Sequence, residues 1–424
     1  MSMANIVPFS GAPPSGPSGP NLAFLELLAR GDKNQILSTT ANALILLDLD
    51  PELIGLLSYD ELYCRGVINR SPPTAHTGIR ARPGPYPRPW DDADIQLLLS
   101  YMQRAWTSGF KQSVIEGAML ATADAHRFHP IRDWLAALQW DGTPRIDRWL
   151  QAAFDSPNNP YTSAVGARFL IAAVRRVRQP GCKFDHMPIF EGAQGIGKST
   201  ALRALFGDAW FTDSLPADVG SRDAALALLG VWGVELAEID QVIRAEVETV
   251  KAFLSRPVDR YRPPYGRSFV DAPRQCVLVG TSNSSDYLRD TSGNRRFWPI
   301  ECRAADAEWV TLNREQLWAE AAQRESQGDV LWLQEHELNA TAVEVQTSRL
   351  TEDTWQDALE DWLYSRVETT TADALLNGIG VQREKQDRRA TLRVCECLRK
   401  LGWKQTVAGR VGNGRRVWRK DVLE

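Results

Sequence analysis

Hydrophobic and polar positions alternate along the middle of the chain with two different spacings, which predicts both strands and helices. Short apolar runs typical of buried strands occur in the segments HMPIFEG, VWGVELAEI and RQCVLVGTSN. Between them, apolar residues recur at helical spacing in TALRALFG and EVETVKAFLSR. Strands that alternate with helices in this way predict a mainly parallel sheet flanked by helices, so the predicted fold class is α/β.

Helices are predicted on both sides of this sheet-forming segment. Before it, apolar residues have helical spacing in DDADIQLLLSYMQRAW, KQSVIEGAMLATADAH and YTSAVGARFLIAAVRRVR. After it, we expect helices between Glu315 and Arg366. The short apolar stretches between Leu22 and Asn69 fit either a small α/β module or a small helical one.

Proline-rich breaks divide the chain into predicted domains. The tract SGAPPSGPSGP predicts a disordered tail, because it cannot bury enough surface to offset the entropy of ordering it. A second break, SPPTAHTGIRARPGPYPRP, follows the N-terminal module. The predicted parts are a tail (1–21), a small module with its linker (22–89), a helical region (90–160), an α/β core (161–310), a helical connector (311–366) and a basic C-terminal domain (367–424).

Composition restricts the classes of function. The 424 residues are 43% hydrophobic, which indicates a globular protein. The formal net charge of −4 argues against nucleic-acid binding driven by the charge of the whole chain, so any such binding would depend on local basic patches. The six cysteines lack the paired spacing of a metal site, which favours a reduced cytosol. No apolar run approaches the roughly 18 residues of a membrane span. We therefore expect an intracellular, soluble protein without membrane contact.

A phosphate-binding pattern follows the first predicted core strand. The segment GAQGIGKS fits G-x-x-x-x-G-K-[ST] and precedes a predicted helix, so its backbone N–H groups can face a phosphate chain at a helix N-terminus. Lys198 would reach the β- and γ-phosphates, and the Ser199 hydroxyl would ligate Mg²⁺. The residues predicted to hold the nucleoside triphosphate are Gly192, Gly195, Gly197, Lys198, Ser199 and Thr200.

Acidic residues stand at the end of the strand VWGVELAEI. Side chains alternate between the faces of a strand, so Glu235 and Glu238 share a face only if the strand ends between them. We assign Glu235 to the metal ion and Glu238 to activation of water. Capping of the following helix is the alternative role for Glu238 and for Asp240.

Two further polar groups follow in the core. Asn283 stands at the tip of the strand VLVGTSN, where its amide can bond the attacking water or the phosphate. Arg295 and Arg296 follow a Gly-Asn turn, and guanidinium groups there suit stabilisation of transition-state charge, often from a neighbouring subunit. A surface ion pair is the alternative for one of the two arginines, and sequence order does not distinguish them.

The stretch DRYRPPYGR, from Asp259 to Arg267, combines charge, aromatic rings and adjacent prolines. Proline fixes φ and removes a backbone donor, so the stretch predicts a stiffened loop or hairpin tip. A solvated surface loop is the alternative on composition alone. The side chains that such a tip would present are Arg260, Tyr261, Arg262, Tyr265 and Arg267.

The C-terminal end carries positive charge that the whole-chain total conceals. Two helices are predicted in TTTADALLNGIG and QDRRATLRVCECLRKLGW, the second with an apolar face of Leu392, Cys395 and Leu398. Two strands around a Gly-Asn-Gly turn are predicted in KQTVAGRVGNGRRVWRK, completing a winged-helix pattern. A subunit-packing module that binds acidic protein is the alternative. The predicted nucleic-acid contacts are Arg388, Arg389 and Arg393 on the helix, and Arg410, Arg415 and Arg416 on the wing.

Six segments, in order, resemble the virulence-associated protein E family of phages, prophages and mobile islands. They are WDGTPRID, PGCKFDHMPIFEGAQGIGKST, VELAEID, VKAFLSRPVDRYRPPYGR, RQCVLVGTSN and GNRRFWPIE, between about Trp134 and Glu301. That family is similar to the superfamily 3 helicases, which are ring-forming relatives of the AAA+ ATPases. The resemblance implies a P-loop ATPase core with a helical N-terminal region and a C-terminal winged-helix-like domain.

The resemblance also implies roles for single residues. It places Lys198 and its neighbours in the phosphate loop, Glu235 in the acidic strand, Asn283 in the sensor position, and Arg295 or Arg296 in the arginine-finger position. Many relatives carry two adjacent acids where Leu236 follows Glu235 here, so the identity of the catalytic glutamate stays open.

Two further features of the family concern DNA binding and DNA priming. DRYRPPYGR falls where superfamily 3 helicases carry a loop that grips DNA inside the ring, and arginines with tyrosines suit such a grip because they neutralise phosphates and stack on bases. Many relatives also carry a primase-polymerase domain upstream. The segment before Trp90 is too short for one, so priming is not expected.

Two functions fit the sequence. The first is an ATP-dependent DNA helicase or translocase of phage or mobile-element replication, which hydrolyses ATP with Mg²⁺ at the subunit interfaces of a ring, often a hexamer, in the cytoplasm of a bacterial host. Its partners would be DNA, further copies of the chain and other replication proteins. The alternative is a nucleotide-gated factor that recognises an origin or regulatory site and unwinds nothing.

Overall fold

The chain forms two compact units, Met1–Ser348 and Arg349–Glu424. The computed structural model describes residues 22–74, 80–216, 218–261, 269–285, 288, 294–334, 336–349, 354–408 and 415–420. Among these residues, no helix has both the length and the apolar content that crossing a membrane requires. All six cysteines are free thiols.

The larger unit begins with a small α/β layer. Its four strands are ordered β3-β2-β1-β4, and the apolar faces of three helices cover one side of the sheet around Leu46, Leu57 and Met119. Of the two alternatives for the N-terminal module, the structure shows the α/β one. Two later helices, which follow the second proline-rich break, complete its core. Its elements are α1 (Thr40–Leu49), β1 (Leu57–Asp60), β2 (Arg65–Ile68), β3 (Arg88–Pro89), α2 (Asp92–Ala105), α3 (Gln112–Ala125) and β4 (Arg127–Phe128).

The rest of the larger unit is built on the central sheet. Its elements are α4 (Pro130–Ala137), α5 (Trp149–Phe154), α6 (Pro160–Arg178), β5 (Met187–Glu191), α7 (Lys198–Phe206), β6 (Phe211–Thr212), α8 (Arg222–Ala227), β7 (Gly233–Leu236), α9 (Ile239–Leu254), β8 (Val258–Tyr261), β9 (Val270–Pro273), β10 (Val277–Ser282), β11 (Phe297–Glu301), α10 (Ala307–Ser326) and α11 (His336–Thr347).

Five parallel strands form the central sheet in the order β11-β5-β10-β7-β6. The predicted α/β fold with a parallel sheet is thus confirmed. Every residue of β5, β7 and β10 is buried, because helices cover both faces, and this explains why the strands read as continuous apolar runs. Strand β10 lies between β5 and β7. Because these three strands are parallel, their carboxyl ends meet at one edge of the sheet.

Large aromatic side chains fill the core beneath this sheet. The rings of Trp232 and Trp318 lie 4.0 Å apart between centroids, and Phe206 contacts both. Each Trp also donates its indole N–H, Trp232 to the carbonyl of Ala173 and Trp318 to that of Leu205. These bonds join α10 to α7 and the residue before β7 to α6, so burial and hydrogen bonds together fix this part of the core.

Strands β8 and β9 form a separate antiparallel hairpin between α9 and β10. Its base is held by a buried ion pair in which Arg274 donates to both carboxylate oxygens of Asp259, at 2.9 and 2.8 Å. Arg274 also donates to the carbonyl of Phe253, at the end of α9. The base of this hairpin is thus anchored to the core, while the predicted loop or hairpin tip lies, from residue 262 onward, outside the described residues.

The smaller unit combines helices with a sheet of order β12-β14-β13. Trp403, Trp418 and Leu398 pack at its centre. The second predicted helix is present, but Leu392 is 60% exposed because the buried face runs instead through Val394 and its neighbours. The elements are α12 (Thr354–Leu363), β12 (Glu368–Thr369), α13 (Thr371–Asp373), α14 (Arg388–Lys400), β13 (Trp403–Ala408) and β14 (Arg415–Lys420), with a π-helical turn at Ala374–Gly378.

Candidate active site

A glycine-rich loop joins the carboxyl end of β5 to the first turn of α7. Gly195 and Gly197 have φ values of 82° and 96°, in the left-handed region that other residues rarely adopt. Gly192 is required for a different reason, since a Cβ there would lie 2.2 Å from the carbonyl oxygen of Cys302. The loop therefore follows a path that depends on its glycines, and it delivers Lys198 and Ser199 to the start of a helix.

Lys198 folds back over this loop. Its Nζ donates to the carbonyls of Gly192 at 2.7 Å and Ala193 at 3.0 Å, and lies 3.3 Å from Oδ1 of Asn283. Burial lowers the pKa of Lys198, while the nearby carboxylate of Glu235 opposes that shift. The ammonium group is thus held where the loop, β10 and β7 meet.

Glu235 is the most buried acid of the site, with 1% of its surface exposed. Its Oε1 accepts hydrogen bonds from the hydroxyls of Ser199 and Thr281, each at 2.6 Å. Its Oε2 is also buried and has no hydrogen-bond partner among the described residues. The carboxylate therefore links the start of α7 to the neighbouring strand β10 while one oxygen stays available for a ligand.

Thr281 was not predicted from the sequence. Its hydroxyl lies next to Glu235 because β10 pairs with β7 in the register Val279↔Glu235 and Gly280↔Leu236. The only sequence signal is a polar residue inside an apolar strand, two positions before Asn283. That signal indicates a polar neighbour on the adjacent strand, but it does not say which strand is adjacent.

Glu238 lies outside the strand that carries Glu235. Strand β7 ends at Leu236, which meets the condition under which the two acids can serve one site. Glu238 occupies the position before α9 with a φ of 49°, and its side chain is exposed. A non-glycine residue in this left-handed region is strained. The side chain of Asp240 lies outside the described residues.

Asn283 follows the last residue of β10 directly, at the same edge as the glycine-rich loop. The structure therefore brings together five of the predicted side chains or loop segments: the loop, Lys198, Ser199, Glu235 and Asn283. Thr200 is exposed in the first turn of α7, beside them in sequence.

Arg295 and Arg296 lie at the opposite edge of the sheet. They directly precede β11, which runs parallel to β5 with Phe297 opposite Met187, whereas the loop follows the other end of β5. The length of β5, about 13 Å at 3.3 Å per residue, separates the two positions. Arg296 donates to the hydroxyl of Ser255 at 2.9 Å and lies 3.7 Å from Asp185, while Arg295 is exposed.

Of the five hairpin residues predicted to contact nucleic acid, the structure describes two, Arg260 and Tyr261. Arg260 is exposed, 3.6 Å from Asp271, with its guanidinium 5.3 Å from the ring centre of Phe269. Phe269 is 64% exposed and was not predicted. Together they give the described part of the hairpin an exposed cation and an exposed ring. Arg262, Tyr265 and Arg267 lie outside the described residues.

Tyr261 differs from the prediction, because its side chain is only 4% exposed. Burial raises the pKa of its phenol, and the neighbouring Cys64 and Tyr59 contribute to that shift. Tyr261 therefore packs towards the first strands of the N-terminal layer rather than presenting its ring for stacking. The alternation along β8 explains this, since Asp259 and Tyr261 face inwards while Val258 and Arg260 face outwards.

The smaller unit presents basic side chains on α14 and β14. Arg388 and Arg416 are exposed, and Arg393 is exposed with its guanidinium 4.0 Å from the ring centre of Trp355. The side chains of Arg389 and Arg415, and all of Arg410, lie outside the described residues.

Known proteins resemble this chain in two ways. The family model described as virulence-associated protein E-like domain matches residues 135–351. No curated protein matches. Three solved apo structures of the NrS-1 C terminal region are similar, at 12%, 14% and 13% identity with TM-scores of 0.47, 0.44 and 0.40, and each match covers 86% of this chain and 96% of that one.

The buried carboxylate of Glu235 has a measurable consequence for stability. We expect Glu235→Gln to raise the free energy of unfolding by about 1 kcal/mol without added ligand, because the substitution removes a buried, half-satisfied charge but keeps an oxygen for Ser199 and Thr281. Chemical denaturation measures the change. As a control, Glu301→Gln at the exposed end of β11 should change the value by less than about 0.5 kcal/mol. A clear loss of stability in the Glu235 variant would contradict this account.

Proposed function

This chain belongs to the virulence-associated protein E-like family, and from that premise we propose that it is an ATP-dependent DNA helicase or translocase of phage or mobile-element replication. The observation that carries the proposal is the arrangement at the carboxyl edge of the sheet. There a glycine-rich loop, a lysine and a buried carboxylate with one unpartnered oxygen lie together. We place the protein in the cytoplasm of a bacterial host, with other replication proteins among its partners.

The residues at this edge fit ATP and Mg²⁺. Carboxylate and hydroxyl oxygens are the ligands that Mg²⁺ prefers, and it is commonly held by one or two protein groups together with phosphate oxygens and water. Ser199 and Glu235 would hold the ion, and the unpartnered Oε2 of Glu235 supports this role. Within the described part of the chain, no group of three or more His, Cys, Asp or Glu is placed to hold a metal ion.

The nucleotide would be held mainly by backbone. Gly192, Gly195, Gly197 and Thr200 belong to the loop and first helical turn, whose N–H groups suit phosphate oxygens. Lys198 would exchange its bonds to the loop carbonyls for the β- and γ-phosphates. These residues together form a P-loop.

Hydrolysis then needs groups that orient water and stabilise charge. Bound Mg²⁺ would neutralise charge on the β- and γ-phosphate oxygens. Glu238 would accept a hydrogen bond from the attacking water, and its exposed, strained position at the end of β7 supports this assignment. Asn283, beside the Lys198 ammonium group, would bond the water or the γ-phosphate.

One of the pair Arg295 and Arg296 would act on the nucleotide of another copy of the chain. They lie at the amino edge of the sheet, so one copy cannot bring them to its own loop without rearranging β5 and β11. An exposed Arg295 at that edge can enter the site of a neighbour in a head-to-tail ring, which we propose to be a hexamer. Arg296 instead stabilises the conformation of this edge through its hydrogen bond to Ser255 and its ion pair with Asp185.

DNA contacts are proposed on the hairpin and the smaller unit. Arg260 and Phe269 would neutralise a phosphate and stack on a base, and Arg262, Tyr265 and Arg267 belong to the same hairpin in sequence. In the smaller unit, α14 and the β13–β14 hairpin follow each other as in a winged helix, with basic residues on both. Arg388, Arg389, Arg393, Arg415 and Arg416 are proposed to contact duplex DNA.

The motor function is tested by unwinding of a DNA fork. We expect ATP-dependent strand displacement that requires Mg²⁺, and we expect Lys198→Ala to lower the rate of hydrolysis at least about 100-fold, because a phosphate-binding cation is lost. Arg203→Ala, which alters a half-buried cation later in α7 that pairs with Asp213, is the matched control and should retain activity. ATP hydrolysis and DNA binding without displacement or translocation would support the nucleotide-gated DNA-binding factor instead.

The hairpin is tested separately from the nucleotide site. We expect Arg260→Ala with Phe269→Ala to weaken single-stranded DNA binding about tenfold and to abolish stimulation of the ATPase by DNA, because stacking on one ring contributes about 1–3 kcal/mol. Basal hydrolysis should stay within about twofold of the original, since neither residue lies at the glycine-rich loop. The control replaces an exposed cation and an exposed apolar residue elsewhere, Arg303→Ala with Leu312→Ala. Unchanged DNA stimulation in the hairpin variant would rule out this contact.

A further inference from the structure

A cavity of about 350 Å³ lies at the amino edge of the central sheet. It is lined by the segment that leads into β5, by Arg295 and Trp298 around the start of β11, and by α11 together with Trp332 and Leu333. Neither Lys198 nor Glu235 lines it. The cavity is therefore separate from the ATP site proposed above, which lies beyond the other end of β5.

Aromatic rings form much of the cavity wall. His186 stacks on Trp298 with ring centres 4.4 Å apart and planes 23° apart, and Phe184 contacts both rings. Trp332 also lines the cavity and is 46% exposed, so part of its ring faces solvent. The wall thus offers rings of the kind on which a planar heterocycle can stack.

The His186 side chain leaves a polar atom in this aromatic wall. Its Nδ1 is buried and forms no hydrogen bond within the described residues, and the nearest acid, Asp185, lies 3.8 Å away. Burial lowers the pKa of His186 to about 4, and the positive charges of Arg295, Arg296 and Lys183 act in the same direction against the opposing effect of Asp185. The ring is therefore neutral at pH 7 and has an unsatisfied nitrogen.

The charges that line the cavity favour an anion. Lys183 and Arg295 are both exposed there. Among the lining residues that the structure describes, Asp185 is the one acid, and it lies 3.7 Å from the guanidinium of Arg296. Within this described part of the lining, the positive charge of Lys183 and Arg295 exceeds the negative charge.

We propose that this cavity binds one nucleotide unit, with the base among Phe184, His186 and Trp332 and the phosphate at Lys183. Aromatic stacking accepts any base because every base has a π-face, and Lys and Arg form charge-assisted hydrogen bonds with phosphate. The volume falls at the lower end of the range of about 300–1,000 Å³ for small-ligand sites. The ligand is thus an anionic heteroaromatic group, either a free nucleotide or part of a single strand.

Calorimetric titration of the full chain with deoxyguanosine 5′-monophosphate tests this site. We expect one-to-one binding that Lys198→Ala leaves unchanged, because the glycine-rich loop does not take part. We expect Trp332→Ala and Lys183→Glu each to weaken binding about tenfold. Both side chains are exposed enough for the variants to fold, which their melting temperatures check. The matched controls, Tyr364→Ala and Lys111→Glu, alter an exposed ring and an exposed cation elsewhere and should bind normally.

Two further ligands identify the source of the nucleotide. Deoxyguanosine without phosphate should bind more weakly than the monophosphate if Lys183 contacts the phosphate. If Trp332→Ala weakens binding of a single-stranded trinucleotide, the ligand is part of a strand. If Trp332→Ala weakens binding of the monophosphate but not of the trinucleotide, the ligand is a free nucleotide. The proposal is overturned if neither ligand binds, if Trp332→Ala and Lys183→Glu both bind normally, or if Lys198→Ala abolishes binding.

Discussion

The carboxylate of Glu235 is the group on which the proposed active site depends. A buried charge costs several kcal/mol unless it is paired or hydrogen-bonded, and here two hydroxyls, from Ser199 and Thr281, satisfy only one of its oxygens. The arrangement requires three elements at once: β7 to bury the acid, β10 to supply a threonine, and the glycine-rich loop to bring a serine. The order of the strands makes this possible, because β10 lies between β5 and β7. Under the proposed function, the free-energy cost of leaving the other carboxylate oxygen without a partner is offset when Mg²⁺ binds there with the nucleotide.

The position of the loop and of the strands that surround it could be predicted from local patterns. Continuous apolar runs with helices between them indicate strands buried on both faces, and the segments that gave β5, β7 and β10 are of this kind. Glycine at positions 195 and 197 indicates backbone that only glycine adopts readily, and the structure has positive φ at both. Such features depend on residues close together in the chain.

Features that depend on distant contacts could not be predicted in the same way. The role of Thr281 depends on which strand lies beside β10. The pattern of residues within one strand does not predict which strand will be its neighbour. Tyr261 is buried because the hairpin packs towards the N-terminal layer, about 200 residues earlier in the sequence, and composition gives no sign of that contact. The exposure of Leu392 has a similar origin, because the buried face of α14 is selected by the sheet and helices that it meets.

The two edges of the central sheet carry different functional side chains, and the proposed catalytic centre needs side chains from both edges. The carboxyl edge holds the loop, Lys198 and Glu235, while the amino edge holds Arg295 and the aromatic cavity. Under the proposed function, a complete catalytic centre forms only where the carboxyl edge of one copy meets the amino edge of the next. Such a design couples hydrolysis to the arrangement of neighbouring copies, as a motor that moves along DNA requires.

The most direct test of this account measures ATP hydrolysis by mixtures of two inactive variants. One carries Lys198→Ala, and the other carries Arg295→Ala with Arg296→Ala. Each alone should hydrolyse ATP hardly at all, but an equal mixture should recover activity, since about one interface in four then pairs an intact loop with intact arginines. No recovery in mixed oligomers, or full activity of the arginine variant alone, would contradict a site shared between copies.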